Sequence, residues 1–184
     1  MIRWFNKYVR YFLSGIALIC FMFNVSAESP LGLDEDKERL KQMQEEAPVV
    51  LPAFPAEENL LYFDVSPMQT MKFAIDSKSL VIAGHEVRYT LVATSSFGAK
   101  NISYEGIRCF SYETRRYAYG HKDGWKPAKN DKWRRIQSNT ANRSQAALVQ
   151  DYFCTDKMIE GKPEDMLDRI RYRRSLYKKQ YHGG

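Results

Sequence analysis

Glu105, Arg108 and Cys109 are close neighbours in a stretch rich in β-branched and aromatic residues. On an extended strand, side chains alternate between faces, so Glu105 and Cys109 share one face and Arg108 points to the other. A guanidinium on an open sheet surface suits a carboxylate or phosphate, which would make Arg108 an anion clamp. The competing reading is an ion pair across the sheet, with Glu113 or Glu86 as the partner. A second group is the turn Gly120-His121-Lys122-Asp123-Gly124. His121 with Asp123 could orient a general base, or Asp123 could simply serve a solvated hairpin turn. Glu105, His121 and Asp123 are the candidate acid–base groups. The third group is aromatic: Tyr112, Tyr117, Tyr119, Trp125 and Trp133. Such rings form a platform for sugar or peptide, or they fill a core and brace a hairpin. Arg108, Tyr117, Tyr119 and Trp125 are the candidate ligand contacts. The fourth is the basic run Arg169, Arg171, Arg173, Arg174, Lys178 and Lys179. On a helix it would meet anionic lipid head groups or an acidic partner, or remain a solvated end.

Other chemistries find no pattern. The sequence contains no Gly-rich phosphate loop, no nucleophile elbow, no His-Glu-x-x-His and no Cys-x-x-Cys. With His85, His121 and His182 as the only histidines, neither a metal nor a cofactor is expected.

The elements that would position these residues begin with a leader. Arg3, Lys7 and Arg10 precede an uncharged apolar run from Tyr11 to Phe23, and Val25-Ser26-Ala27 follows. Basic, then apolar, then small is the order of a secretory signal over residues 1–27, cleaved after Ala27. The apolar run is about 13 residues, against roughly 20 for a spanning helix. An uncleaved anchor and lipidation at Cys20 are the alternatives. Ile19 is bulky where a lipoprotein peptidase requires a small residue. The net charge of +6 includes the leader's three cations. With the basic C-terminal run set apart as well, the body of the exported chain is net acidic. An exported chain is not expected to meet nucleic acid.

Removing the leader leaves Cys109 and Cys154. In an oxidising compartment two cysteines pair, closing a loop of about 45 residues worth about 4 kcal/mol. A metal pair or two free thiols are the alternatives. Residues 28–59 are acid-rich and then proline-rich, with Pro48, Pro52 and Pro55. They read as a marginal helix or a linker. Residues 60–156 read as the core domain. Alternation over Met71–Asp76 and Val87–Ala93, the short apolar run Ser79–Ala83, and β-branched and aromatic density over Asn101–Phe110 and Thr114–Tyr119 predict strands, with Trp133–Gln137 as a returning one. Helical spacing appears from about Asn142 into Cys154 and again from Pro163, giving a basic helix and tail over residues 157–184. Strands first and helices later predict an α+β fold, with about five or six antiparallel strands and C-terminal helices packed on them.

The order Phe63-Asp64-Val65-Ser66, Val87 to Ala93, Tyr104-Glu105-Gly106-Ile107-Arg108-Cys109, Tyr117-Ala118, Asp123-Gly124-Trp125, Trp133 and Asp151-Tyr152-Phe153-Cys154 is distinctive. It resembles the cryptic neisserial protein (CNP1-like) family, exported proteobacterial proteins of uncharacterised function. The likeness runs from about Pro52 to Cys154, and the basic segment lies outside it. It implies a periplasmic protein with both cysteines in the family pattern, and it lends no activity. The expectation is a non-catalytic periplasmic module that binds an envelope protein or glycan. The alternatives are an acid–base enzyme on an envelope substrate, or a factor that touches anionic membrane through its basic helix.

Overall fold

A computed structural model describes residues 33–177, except 68, 130 and 139–141. The leader expected over residues 1–27 and the end of the basic tail lie outside the described residues. The chain divides into two units, Met1–Lys41 and Gln42–Gly184. Helix α1 (Leu33–Gln44) opens on Asp34, Glu35 and Asp36, acids that complement the positive end of the helix dipole.

In the second unit the sheet runs β1 (Leu60–Phe63), β2 (Lys72–Asp76), β4 (Glu86–Thr94), β5 (Lys100–Arg108), β6 (Glu113–His121) and β7 (Gly124–Pro127). All pairs are antiparallel. Two short strands complete its edges: β3 (Val81–Ala83) pairs with β4, and β8 (Arg134–Arg135) pairs with β6. Among the described residues the sheet is thus a path of six strands, in line with the expected five or six, with two short strands added to make eight. β1 was not anticipated, because Leu60-Leu61-Tyr62-Phe63 is apolar throughout and shows no alternation.

β4 is the central strand. One edge pairs along its length with β5, and the other is shared between β2 and β3. Between those two partners, the Thr90 N–H donates to Ser79 Oγ at 2.8 Å, which satisfies a buried donor. Both faces of β4 are buried. Val87, Tyr89 and Leu91 face a core completed by Ile107, Leu148, Phe153, Met166 and Ile170. Ile107 is on β5, and the other four come from α2 (Arg143–Leu148), its π-helical continuation Val149–Phe153, and α3 (Pro163–Arg171). The antiparallel sheet and its helical layer make the fold α+β, as the sequence predicts.

Cys109 and Cys154 form the disulfide, with Cα atoms 5.6 Å apart. It ties the end of β5 to the exit of the π-helical turn. There the chain enters a small hairpin, β9 (Cys154–Thr155) with β10 (Met158–Ile159).

Two boundaries differ from the sequence reading. The compact unit begins at Gln42, not near Leu60, because the end of α1 and the irregular segment 45–55 behind it lie as a strap against the sheet. The basic helix stops at Arg171. Arg173 takes a left-handed conformation (φ 52°), and the Leu176 N–H returns to the Asp151 carbonyl at 2.8 Å.

The strap side of the sheet carries aromatic rings over a glycine. A Cβ on Gly106 would sit 2.8 Å from Tyr117 Cε2 and 3.3 Å from Trp133 Cη2. Gly106→Ala should therefore destabilise the domain by about 1–3 kcal/mol, read as a shifted urea midpoint with an unchanged slope.

Candidate functional site

The candidate residues fall on opposite faces of the sheet, as the alternation around Glu105 and Arg108 requires. On the strap face, Glu86 is 1% exposed, Arg88 2% and Arg108 5%. Arg88 Nε donates to Glu86 Oε2 at 3.0 Å, and Arg108 Nη2 donates to Glu86 Oε1 at 2.8 Å. The Tyr117 hydroxyl donates to Glu86 Oε2 at 2.6 Å. Burial raises the Tyr117 pKa, and the bond to Glu86 raises it further, so the phenol stays protonated as a donor. Burial works against the Arg88 charge, but Tyr117 and Glu86 outweigh it and its pKa rises.

The strap closes over this cluster through its own main chain. Arg88 donates to the carbonyls of Ala47 and Pro48 at 2.7 and 2.9 Å, and Arg108 donates to that of Gln44 at 3.0 Å. Glu46 receives Arg115 Nη1 at 2.6 Å and the Trp133 indole N–H at 2.6 Å. Partial burial raises the Glu46 pKa, yet the Trp133 and Arg115 contacts prevail and hold it below the usual carboxylate range. Trp125 donates its indole N–H to the Pro52 carbonyl at 2.8 Å and packs on Phe54 with centroids 5.4 Å apart. The Arg108 guanidinium lies 3.9 Å from the Trp133 ring centroid, a cation–π contact.

The aromatic platform therefore exists, but the chain's own strap occupies it. Arg108 is a buried ion-pair partner of Glu86, the second of its two sequence readings, and not an open anion clamp. Tyr117 is buried and Trp125 half-buried beneath the strap. Tyr119 alone of the four candidate contacts is exposed, and it lies with the opposite face.

That opposite face holds a groove of about 710 Å³, beside the area the helices cover. Glu105, 1% exposed, lies in its floor. Glu105 Oε1 accepts from Ser103 Oγ at 2.6 Å and from Arg116 Nε at 3.3 Å. Its Oε2 accepts from Gln145 Nε2 at 2.6 Å and from the Tyr89 hydroxyl at 3.4 Å. Burial drives the Tyr89 pKa well up, and the Glu105 charge and hydrogen bond add to it. Arg116 also donates from Nη1 to the Tyr119 hydroxyl at 3.2 Å, with its guanidinium 5.1 Å from that ring. Burial opposes the Arg116 charge, but Glu105 and Tyr119 prevail and raise its pKa.

A register shift between Tyr104 and Glu105 places Arg116 opposite Glu105, the kind of irregularity that re-aims a side chain beside a site. Met71, Phe73, Leu91 and Ile102 supply apolar walls; Arg143, Ser144 and Gln145 of α2 supply a polar one. His121 lines the groove at the hairpin end, while Asp123 is exposed at the turn and does not line it. The structure thus brings together Glu105, Tyr119 and His121, and separates them from Arg108, Tyr117, Trp125 and Asp123. Sequence reasoning missed Arg116, Arg143 and Gln145. The one signal available was the pairing of β5 with β6, which puts an arginine across from Glu105 if the bulge is known.

The basic run is largely engaged. Arg169 donates to the Tyr152 and Glu160 carbonyls. Arg171 pairs with Asp168 at 2.7 Å, and Arg173 with Asp64 at 2.8 Å. Among the described residues, no helix is long and apolar enough to cross a membrane. No cluster of three or more His, Cys, Asp or Glu side chains among them could hold a metal.

Compared with known proteins, residues 39–171 match the model of the CNP1-like family. The match takes in the whole strap and all of α3, of which the sequence reading places α3 and the residues before Pro52 outside the family pattern. No curated protein and no solved structure matches the chain.

Proposed function

The chain belongs to the CNP1-like family, and from that premise we propose that it is an exported, non-catalytic envelope protein that binds a small ligand in the groove above Glu105. The observation that carries this reading is the saturation of Glu105. Ser103 and Arg116 occupy one oxygen, and Gln145 and Tyr89 the other. A carboxylate so engaged has no lone pair directed at a substrate proton, as a general base requires. It braces Arg116 and Gln145 instead, fixing two donors at the groove wall. Groove size and mixed lining are those of small-molecule sites. Export is supported by the basic–apolar–small leader and by the disulfide, which persists in oxidising compartments.

Native mass spectrometry tests the reading. Protein prepared from the envelope should begin at Glu28, carry one disulfide and retain a small molecule. Asn101→Trp, a substitution at an exposed groove position, should lose that molecule with no change in melting temperature. Empty wild-type protein in every preparation, or Met1 still attached, overturns the proposal. So does a bound molecule whose mass changes on incubation with the protein. The last result would favour an acid–base enzyme instead, a reading that rests on His121 and Glu105 lining the same groove.

A further inference from the structure

Within the groove, every charge has a fixed counterpart except one. Glu105 faces Arg116 at 3.3 Å. Lys100 is paired with Glu57, beyond the groove lining. Arg143 lines the groove and stands exposed, and among the described residues its side chain has neither an ion pair nor a hydrogen bond. It precedes Gln145 by two residues on α2, so it belongs to the wall braced by Glu105. Arg116 has committed Nε to Glu105 and Nη1 to Tyr119, which leaves Nη2 without a hydrogen bond among the described residues. Met71, Phe73, Leu91 and Ile102 give the same groove an apolar part.

We propose that the groove is a site for an organic monocarboxylate with an apolar body, whose single negative charge is met by Arg143 and by the free edge of Arg116. This rests on the groove being a ligand site and adds the class of ligand. A single charge follows from the electrostatics. One guanidinium is uncompensated, and the buried Glu105 carboxylate beneath it repels any further negative charge. The choice of carboxylate follows from the planar guanidinium fork, which matches two coplanar oxygens. The apolar body follows from Met71, Phe73, Leu91 and Ile102, which gain by exclusion of water from a non-polar ligand.

Two sources share this chemistry, the C-terminus of a short apolar peptide and a medium-chain fatty acid. Calorimetric titration of the full exported chain separates them with three probes: an apolar tripeptide with a free carboxylate, its C-terminal amide, and a medium-chain fatty carboxylate. At least one carboxylate should bind, the amide at least tenfold more weakly than its acid. Arg143→Ala should weaken binding about tenfold or more, and Arg143→Lys should restore part of it. Arg143 is exposed and unpaired, so both variants should melt with the wild type. Equal binding of acid and amide overturns the proposal, as does binding indifferent to Arg143. A neutral or multiply charged molecule in the native mass spectrum overturns it too, while leaving the groove itself a ligand site. Failure of the groove reading is a different result: no molecule retained, and Asn101→Trp without effect.

Discussion

Glu86→Gln should lower the unfolding free energy by about 3–5 kcal/mol, the loss found when one member of a buried ion pair is removed. Glutamine keeps the volume and removes the charge, so packing is nearly constant and the electrostatic effect is isolated. What remains is two guanidinium groups, Arg88 and Arg108, almost without solvent contact. The strap carbonyls of Gln44, Ala47 and Pro48 still accept from them. A carbonyl dipole solvates a cation but does not neutralise it, and among the described residues no second carboxylate reaches Arg88. Glu46 lies 3.4 Å from Arg108, but it is partly exposed and already bound by Arg115 and Trp133. Domains are stable by only about 5–15 kcal/mol, so the variant should be near the limit of folding at physiological temperature. Urea titration followed by tryptophan fluorescence measures the effect, because Trp125 and Trp133 sit beneath the strap. Glu113→Gln, which removes a half-buried carboxylate without an ion pair among the described residues, should change stability by less than about 0.5 kcal/mol. A Glu86→Gln midpoint equal to that control would contradict the ion-pair account.

Loss of the disulfide should be of comparable size. Cys109→Ala with Cys154→Ala should cost about 4 kcal/mol, on the model in which the crosslink restricts the unfolded chain. The crosslink spans 45 residues, a segment that includes β6 to β8 and all of α2. Both cysteines are buried at the boundary between sheet and helical layer. For a domain of this size the melting temperature should fall by roughly 8–16 °C. Reductant added to the wild type should give the same shift, and the double variant should not respond to it. A wild-type melt unchanged by reductant would mean that the link is absent or carries no load.

How far these features were legible depends on the range of the contacts that make them. The opposite facing of Glu105 and Arg108 followed from strand alternation, and Arg108 with Glu86 was one of its two readings. The hairpin at Asp123-Gly124 was legible because Gly124 supplies the positive φ its turn needs (107°). The β9–β10 hairpin was not, because Asp156 and Lys157 take positive φ values of 49° and 63° without a glycine. Helix α3 announced itself by Pro163 and the acids behind it, and the Lys162 N–H donates to Asp165 Oδ2 at 2.9 Å. The strap was invisible. Its anchors are main-chain carbonyls, which every residue has, and their partners lie some forty residues away or more. The groove was half visible. Glu105 and Tyr119 could be named, but Gln145 reaches Glu105 across 40 residues, and Arg116 meets it only because of the β5–β6 bulge. Composition identified an aromatic cluster; it carried no information on what covers it.

Because Arg88 and Arg108 hold carbonyl oxygens, they recognise a path rather than a spelling. The identities of Gln44, Ala47 and Pro48 are nearly free to drift over evolutionary time, provided the backbone still leaves the end of α1 along the same path. Their two partners in the sheet have no such latitude: Arg88 and Arg108 share Glu86, so the three must change together or not at all. A library randomised on each side of this contact should recover many functional versions of residues 44, 47 and 48, and almost a single solution opposite them.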